Sequence, residues 1–76
     1  MKEARKYAVV FEKSATGYGA YVPDLPGCVT VGDSLEEAEQ NIREAIEGHL
    51  QVMRDHGESV PEPTTSVQEI AVKIPA

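Results

Sequence analysis

Apolar and polar positions along this 76-residue chain change period several times, and each change marks an element. From Lys6 to Lys13 the run Tyr-Ala-Val-Val-Phe is apolar at both parities, which predicts a strand covered on both faces and central in its sheet. Ser14 to Gly17 reads as a hairpin turn, with glycine supplying a positive φ, and Tyr18 to Val22 as the returning strand. Pro23-Asp24-Leu25-Pro26-Gly27 cannot continue a central strand, because proline donates no ladder hydrogen bond, and is expected as a stiff exposed loop. Cys28 to Val31 supplies a third short strand, which Gly32 ends.

The period then shifts to that of a helix. Leu35, Ala38, Ile42, Ala45, Ile46, His49, Leu50 and Met53 recur at steps of three and four, while Glu36, Gln40, Arg43, Glu44, Glu47, Gln51 and Arg54 face away. Ser34 is the expected N-cap, Glu37 stands at the capping-box position, and Gly57 is the expected C-cap. Pro61 and Pro63 keep the next segment out of the helix. Val67 to Ile74 sets Ile70, Val72 and Ile74 against Glu69, Ala71 and Lys73, the alternation of a half-buried strand. A right-handed crossover would lay it parallel beside the first strand. The predicted fold class is α+β, a βββαβ unit with one long helix on a small, mostly antiparallel sheet, forming a single domain over residues 1–76. One helix covers one sheet face, so the other asks for a second subunit or a partner.

Composition narrows the function. Seven Lys and Arg stand against 13 Asp and Glu, a net charge of −6, the wrong sign for a protein that grips phosphate backbones, so no direct nucleic-acid binding is expected. The cations Lys2, Arg5, Lys6 and Lys13 gather near the N-terminus. Asp33, Glu36, Glu37, Glu39, Glu44 and Glu47 crowd a stretch relieved by Arg43 alone, a surface suited to a basic protein. A chain this short buries only roughly 60% of its unfolded surface, which favours a homo-dimer or higher homo-oligomer. A single cysteine, Cys28, and no apolar run long enough for a signal peptide or membrane span point to the cytoplasm.

Candidate chemistry is sparse. His49 and His56 are seven apart, about 10.5 Å along a helix axis, too far to share one zinc ion. Asp24, Asp33, Glu36 and Glu37 would need to converge on one cavity to act as a metal-dependent nuclease, and helix capping accounts for three of them. Cys28 has no histidine at a catalytic spacing. No enzyme, cofactor or metal is expected.

Read as one string, Tyr21-Val22-Pro23-Asp24-Leu25-Pro26-Gly27-Cys28-Val29-Thr30-Val31-Gly32-Asp33-Ser34-Leu35-Glu36-Glu37-Ala38 resembles the HicB family of antitoxins. The likeness continues through Asn41, Arg43, Glu44 and Ala45 to Gly57-Glu58 and Pro61-Glu62-Pro63, nearly the whole chain. It implies a partial ribonuclease-H-like fold without the nuclease carboxylates. It also implies a protein that masks HicA, a small RNA-cleaving toxin, whose basic surface the acidic helix would meet. The expected partner-binding residues are the loop positions Asp24, Leu25 and Pro26, taken as exposed, with Glu36, Glu37, Glu44 and Glu47. Many family members continue into a DNA-binding domain; this chain ends at Ala76, so autoregulation through its own DNA contacts is not expected. Glu39 stands where the family often has an apolar residue. The competing reading is a homo-oligomeric module of the same fold with no toxin partner.

Overall fold

A computed structural model describes residues 4–75; Lys2, one of the N-terminal cations noted above, lies outside them. The chain forms β1 (Val10–Lys13), β2 (Tyr18–Tyr21), β3 (Val29–Gly32) and then one helix, α1 (Leu35–Asp55). The strands make an antiparallel sheet in the order β1-β2-β3. Its register sets Phe11, Ala20 and Thr30 in one cross-strand row and Val10, Tyr21 and Val29 in the next. Because side chains alternate across a strand, these rows face opposite ways.

The Phe11–Ala20–Thr30 face carries the core. Ala20, Val22, Leu25, Cys28, Ala38 and Ile42 are buried, with Tyr7, Val9, Phe11, Ala45, Ile46 and Leu50 packed against this cluster. Fully burying one aliphatic side chain such as Leu25 or Ile42 contributes about 1.5–3 kcal/mol. The helix sits over β3 and β2, and Gly32 sets how closely. A Cβ there would lie 2.5 Å from the backbone nitrogen of Ala38, so any other residue would lift the first helical turn off the sheet. Asn41 fastens the same junction by donating from Nδ2 to the Val31 carbonyl at 2.9 Å.

The helix ends follow their sequence signals. Ser34 Oγ accepts from the Glu37 N–H at 3.1 Å, while Glu37 reaches back to the Asp33 N–H at 2.9 Å, one residue before the cap. At the other end Gly57, with φ of 72°, donates to the Arg54 carbonyl and Glu58 to that of Met53, the paired bonds of a Schellman motif. Here Gly57 is the residue after the cap, which is His56. Leu35, assigned above to the apolar stripe, is 43% exposed because it precedes the first helical residue that meets the sheet, Ala38.

Three expectations need correction. The run 67–74 is not a strand: it has no ladder partner among the described residues, and Val67, Ile70, Val72 and Ile74 are 66–82% exposed. Alternation equips a segment to be half-buried, but an unpaired strand leaves its backbone to water and gains nothing from the sheet. For the same reason β1 is an edge strand, not a central one, and pairs only from Val10 onward, since its partner strand ends at Tyr21. Gly17 does not adopt a positive φ. Its requirement is space, because a Cβ would lie 2.3 Å from the Gly32 carbonyl oxygen.

Candidate functional site

The proline-rich loop between β2 and β3 is two β-turns joined at Leu25. Leu25 donates to the Val22 carbonyl at 3.1 Å and Cys28 to the Leu25 carbonyl at 3.0 Å, and Val22 closes the base by donating to Cys28 at 3.1 Å. Pro23 and Pro26 each hold the second turn position, and Gly27, with φ of 85°, takes the third place of the second turn, the type II arrangement. The shared residue points inward: Leu25 is wholly buried, which corrects its expected exposure and makes it part of the core.

Asp24 has a structural task as well. Its carboxylate accepts four hydrogen bonds of 2.8–3.0 Å from the backbone N–H groups and hydroxyls of Thr64 and Thr65. The Thr65 N–H, followed by its hydroxyl and the two Thr64 donors, holds the acid down at about 2. A few residues earlier the same segment is tied to the N-terminal arm. Arg5 donates to the Val60 and Pro61 carbonyls and pairs with Glu62, and the Tyr7 hydroxyl donates to Pro61.

Pro26 remains exposed. With Glu44, Gly48, His49, Val52 and Glu58 it lines an open groove of about 580 Å³ between the loop and the second half of α1. Sequence reading missed this groove. Val52 follows Ala45 by seven residues, at the margin of the apolar stripe, and is 53% exposed; an apolar residue that widens the stripe past the core was the available signal.

The acidic positions meet on the helix itself. At about 100° per residue, Glu36, Glu37, Glu44 and Glu47 fall within roughly 100° of arc on one flank of α1, with Glu44 at the rim of the groove. All four are exposed. Glu37 is committed to the cap and Glu44 accepts from Gln40 Nε2 at 3.1 Å, so both are held in place while keeping their charge outward. Glu39 lies outside this arc, where it pairs with Arg43 at 3.8 Å. An acidic flank beside a half-apolar groove suits a basic protein surface.

Burial pushes the Cys28 thiol up, away from the thiolate a nucleophile needs. Among the described residues no group of three or more His, Cys, Asp or Glu could hold a metal ion, and no helix is long and apolar enough to cross a membrane.

Residues 7–74 match the family model described as HicB-like antitoxin of bacterial toxin–antitoxin system. The chain is 32% identical, over all its length, to antitoxin HicB 2 of Photorhabdus laumondii subsp. laumondii, of which it covers 54%. It is also 44% identical over 55 residues to an uncharacterized 14.9 kDa protein of Haemophilus phage HP1, of which it covers 41%, so the chain spans about half the length of these relatives or less. Among solved structures, the N-terminal domain of Burkholderia pseudomallei antitoxin HicB superposes with a TM-score of 0.67 at 35% identity, covering 78% of this chain and 70% of that one. A chain of a structure described as the HicA3 and HicB3 toxin–antitoxin complex also superposes with a TM-score of 0.67, at 27% identity over 79% of this chain and 70% of that one. Both share the arrangement of a three-stranded antiparallel sheet and one long helix.

Proposed function

The chain belongs to the HicB-like antitoxins of bacterial toxin–antitoxin systems, and from that membership we propose that it neutralises a HicA-type RNA-cleaving toxin by covering its surface, with no catalysis of its own. The observation that carries this reading is the acidic arc of Glu36, Glu37, Glu44 and Glu47, which borders the groove lined by Pro26 and Val52. A toxin that holds RNA presents cations, and four carboxylates on one flank steer such a surface toward the groove, where apolar side chains complete the fit. In this reading Pro26 and the four acids touch the toxin, while buried Leu25 supports the surface from within and half-exposed Asp24 braces it through Thr64 and Thr65. The net charge of −6 argues against direct nucleic-acid contact. The whole of residues 1–76 acts as one HicB-like domain in the cytoplasm.

The open sheet face supports self-association beside toxin binding. Tyr21, Val29 and Val31 share that face and are 38%, 65% and 73% exposed, a patch that a second copy would cover.

The test is association kinetics with the cognate toxin at low and high salt. Replacing Glu36, Glu37, Glu44 and Glu47 together by glutamine keeps the cap, since glutamine also fills the capping box. The expected result is an on-rate lowered about tenfold or more at low salt, a difference that salt erases. An unchanged on-rate would remove the electrostatic part of the reading, and no complex at either salt would remove the toxin partner.

A further inference from the structure

The terminal segment combines three observations. Ile70, Val72 and Ile74 alternate with Glu69, Ala71 and Lys73, so a strand conformation would set them on opposite sides, and the apolar three are 73–82% exposed. The root of this run is held in place, because Asp24 grips Thr64 and Thr65 while Arg5 and Tyr7 grip residues 60–62. And the molecule is longer than its helix. The molecule extends 55 × 27 × 22 Å with a radius of gyration of 15.0 Å, against about 11 Å for a compact chain of this length. The helix, at about 1.5 Å per residue, accounts for only roughly 32 Å of the long axis.

The same molecule offers a matching acceptor. β1 has a neighbour on one side only. Its register with β2, together with the bond from the Ser14 N–H to the Gly17 carbonyl, alternates so that Phe11 and Lys13 turn their backbone N–H and C=O groups to the open edge. Beside that edge Tyr7, Val9 and Phe11 are only half-buried, because α1 is seated over β2 and β3. A strand added here would set three apolar side chains against these three and leave its charged side to water. The run 67–74 has that pattern, and its eight residues equal the span from Lys6 to Lys13.

We propose that two copies of this chain exchange their terminal segments, residues 67–74 of each adding as a strand to the open β1 edge of the other. An open edge with apolar side chains beside it favours association with another chain, and the exchange closes it. The proposal rests on the self-association reading above and not on toxin binding.

Two variants separate donor from acceptor. Ile70→Asp with Val72→Asp spoils the donor strand, and both positions are exposed in the single chain, so folding is retained. Lys13→Pro spoils the acceptor edge, removing an outward N–H without breaking a bond to β2. Mass is read by light scattering across a dilution series, with circular dichroism to verify the helix. The expected result is a dimeric full chain, monomeric folded variants, and recovery of a dimer when the two variants are mixed, since each keeps the half the other lacks. A full chain that stays monomeric at every concentration overturns self-association and strand exchange together. A dimer that persists in both folded variants overturns strand exchange alone and leaves the open sheet face as the interface. Folded variants that do not pair on mixing overturn the pairing of tail with edge.

Discussion

The loop at residues 22–28 and the segment at residues 67–74 exchange the roles that their compositions suggest. The loop is built of turn formers and carries the most deeply buried leucine in the chain; the segment alternates like a sheet strand and stands in solvent. The difference lies in backbone hydrogen bonds. The loop satisfies its own through two linked turns and the Val22–Cys28 closure, so Leu25 can be buried without stranding polar groups. The segment has no backbone partner for its N–H and C=O groups among the described residues, so its apolar side cannot be buried alone. Side-chain pattern states what a segment is able to bury; backbone pairing determines whether it does.

The contrast breaks most sharply at Leu25. Leu25→Ala removes a wholly buried side chain from the centre of the cluster and should cost about 2–5 kcal/mol, measured as a lowered urea midpoint at unchanged slope. In so small a domain that loss approaches the total stability. A midpoint that barely moves would mean the loop is not part of the core.

An intermediate effect is expected at Asp24, the hinge between the two regions. Its acid is lowered from 3.8 to about 2 in the folded chain. A depressed carboxyl contributes its stabilisation above the unfolded value and loses it as pH falls through the folded one, so the anchor should release between about pH 4 and pH 2. Hydrogen exchange at Thr64 and Thr65 should accelerate in that window, and in Asp24→Ala at neutral pH, while amides of α1 stay protected. Equal acceleration in the helix would show that the anchor supports the whole fold.

The smallest effect belongs to the segment itself. Ile70→Ser, measured at a dilution where the chain is monomeric, should change unfolding stability by less than about 0.5 kcal/mol, as expected for an exposed site away from packing. Set beside Leu25→Ala, it measures the contrast directly, in two aliphatic positions that the sequence presents with opposite expectations.

Much of this was legible in advance. The capping pair Ser34 and Glu37, the stripe through Ala38 and Ile42, and the stop at Gly57 are local codes, each read within a few residues, and the structure follows them. The acidic flank was legible too, since helix periodicity alone gathers Glu36, Glu37, Glu44 and Glu47 on one arc. Not legible were the inward turn of Leu25, the engagement of Asp24 by Thr64 and Thr65 forty residues away, and the groove that joins Pro26 to Val52. Those depend on segments distant in sequence arriving at one place.

The sequence by itself determined the three strands and the helix, their order, the net charge and the family to which the chain belongs, because turns, caps and periodicity act over a single turn of backbone. Only the tertiary structure decided which apolar residues are buried and which acids are engaged by distant segments. Burial is set by whether a second element meets the side chain and the backbone finds its hydrogen bonds, and for the terminal segment none of the described residues supplies both.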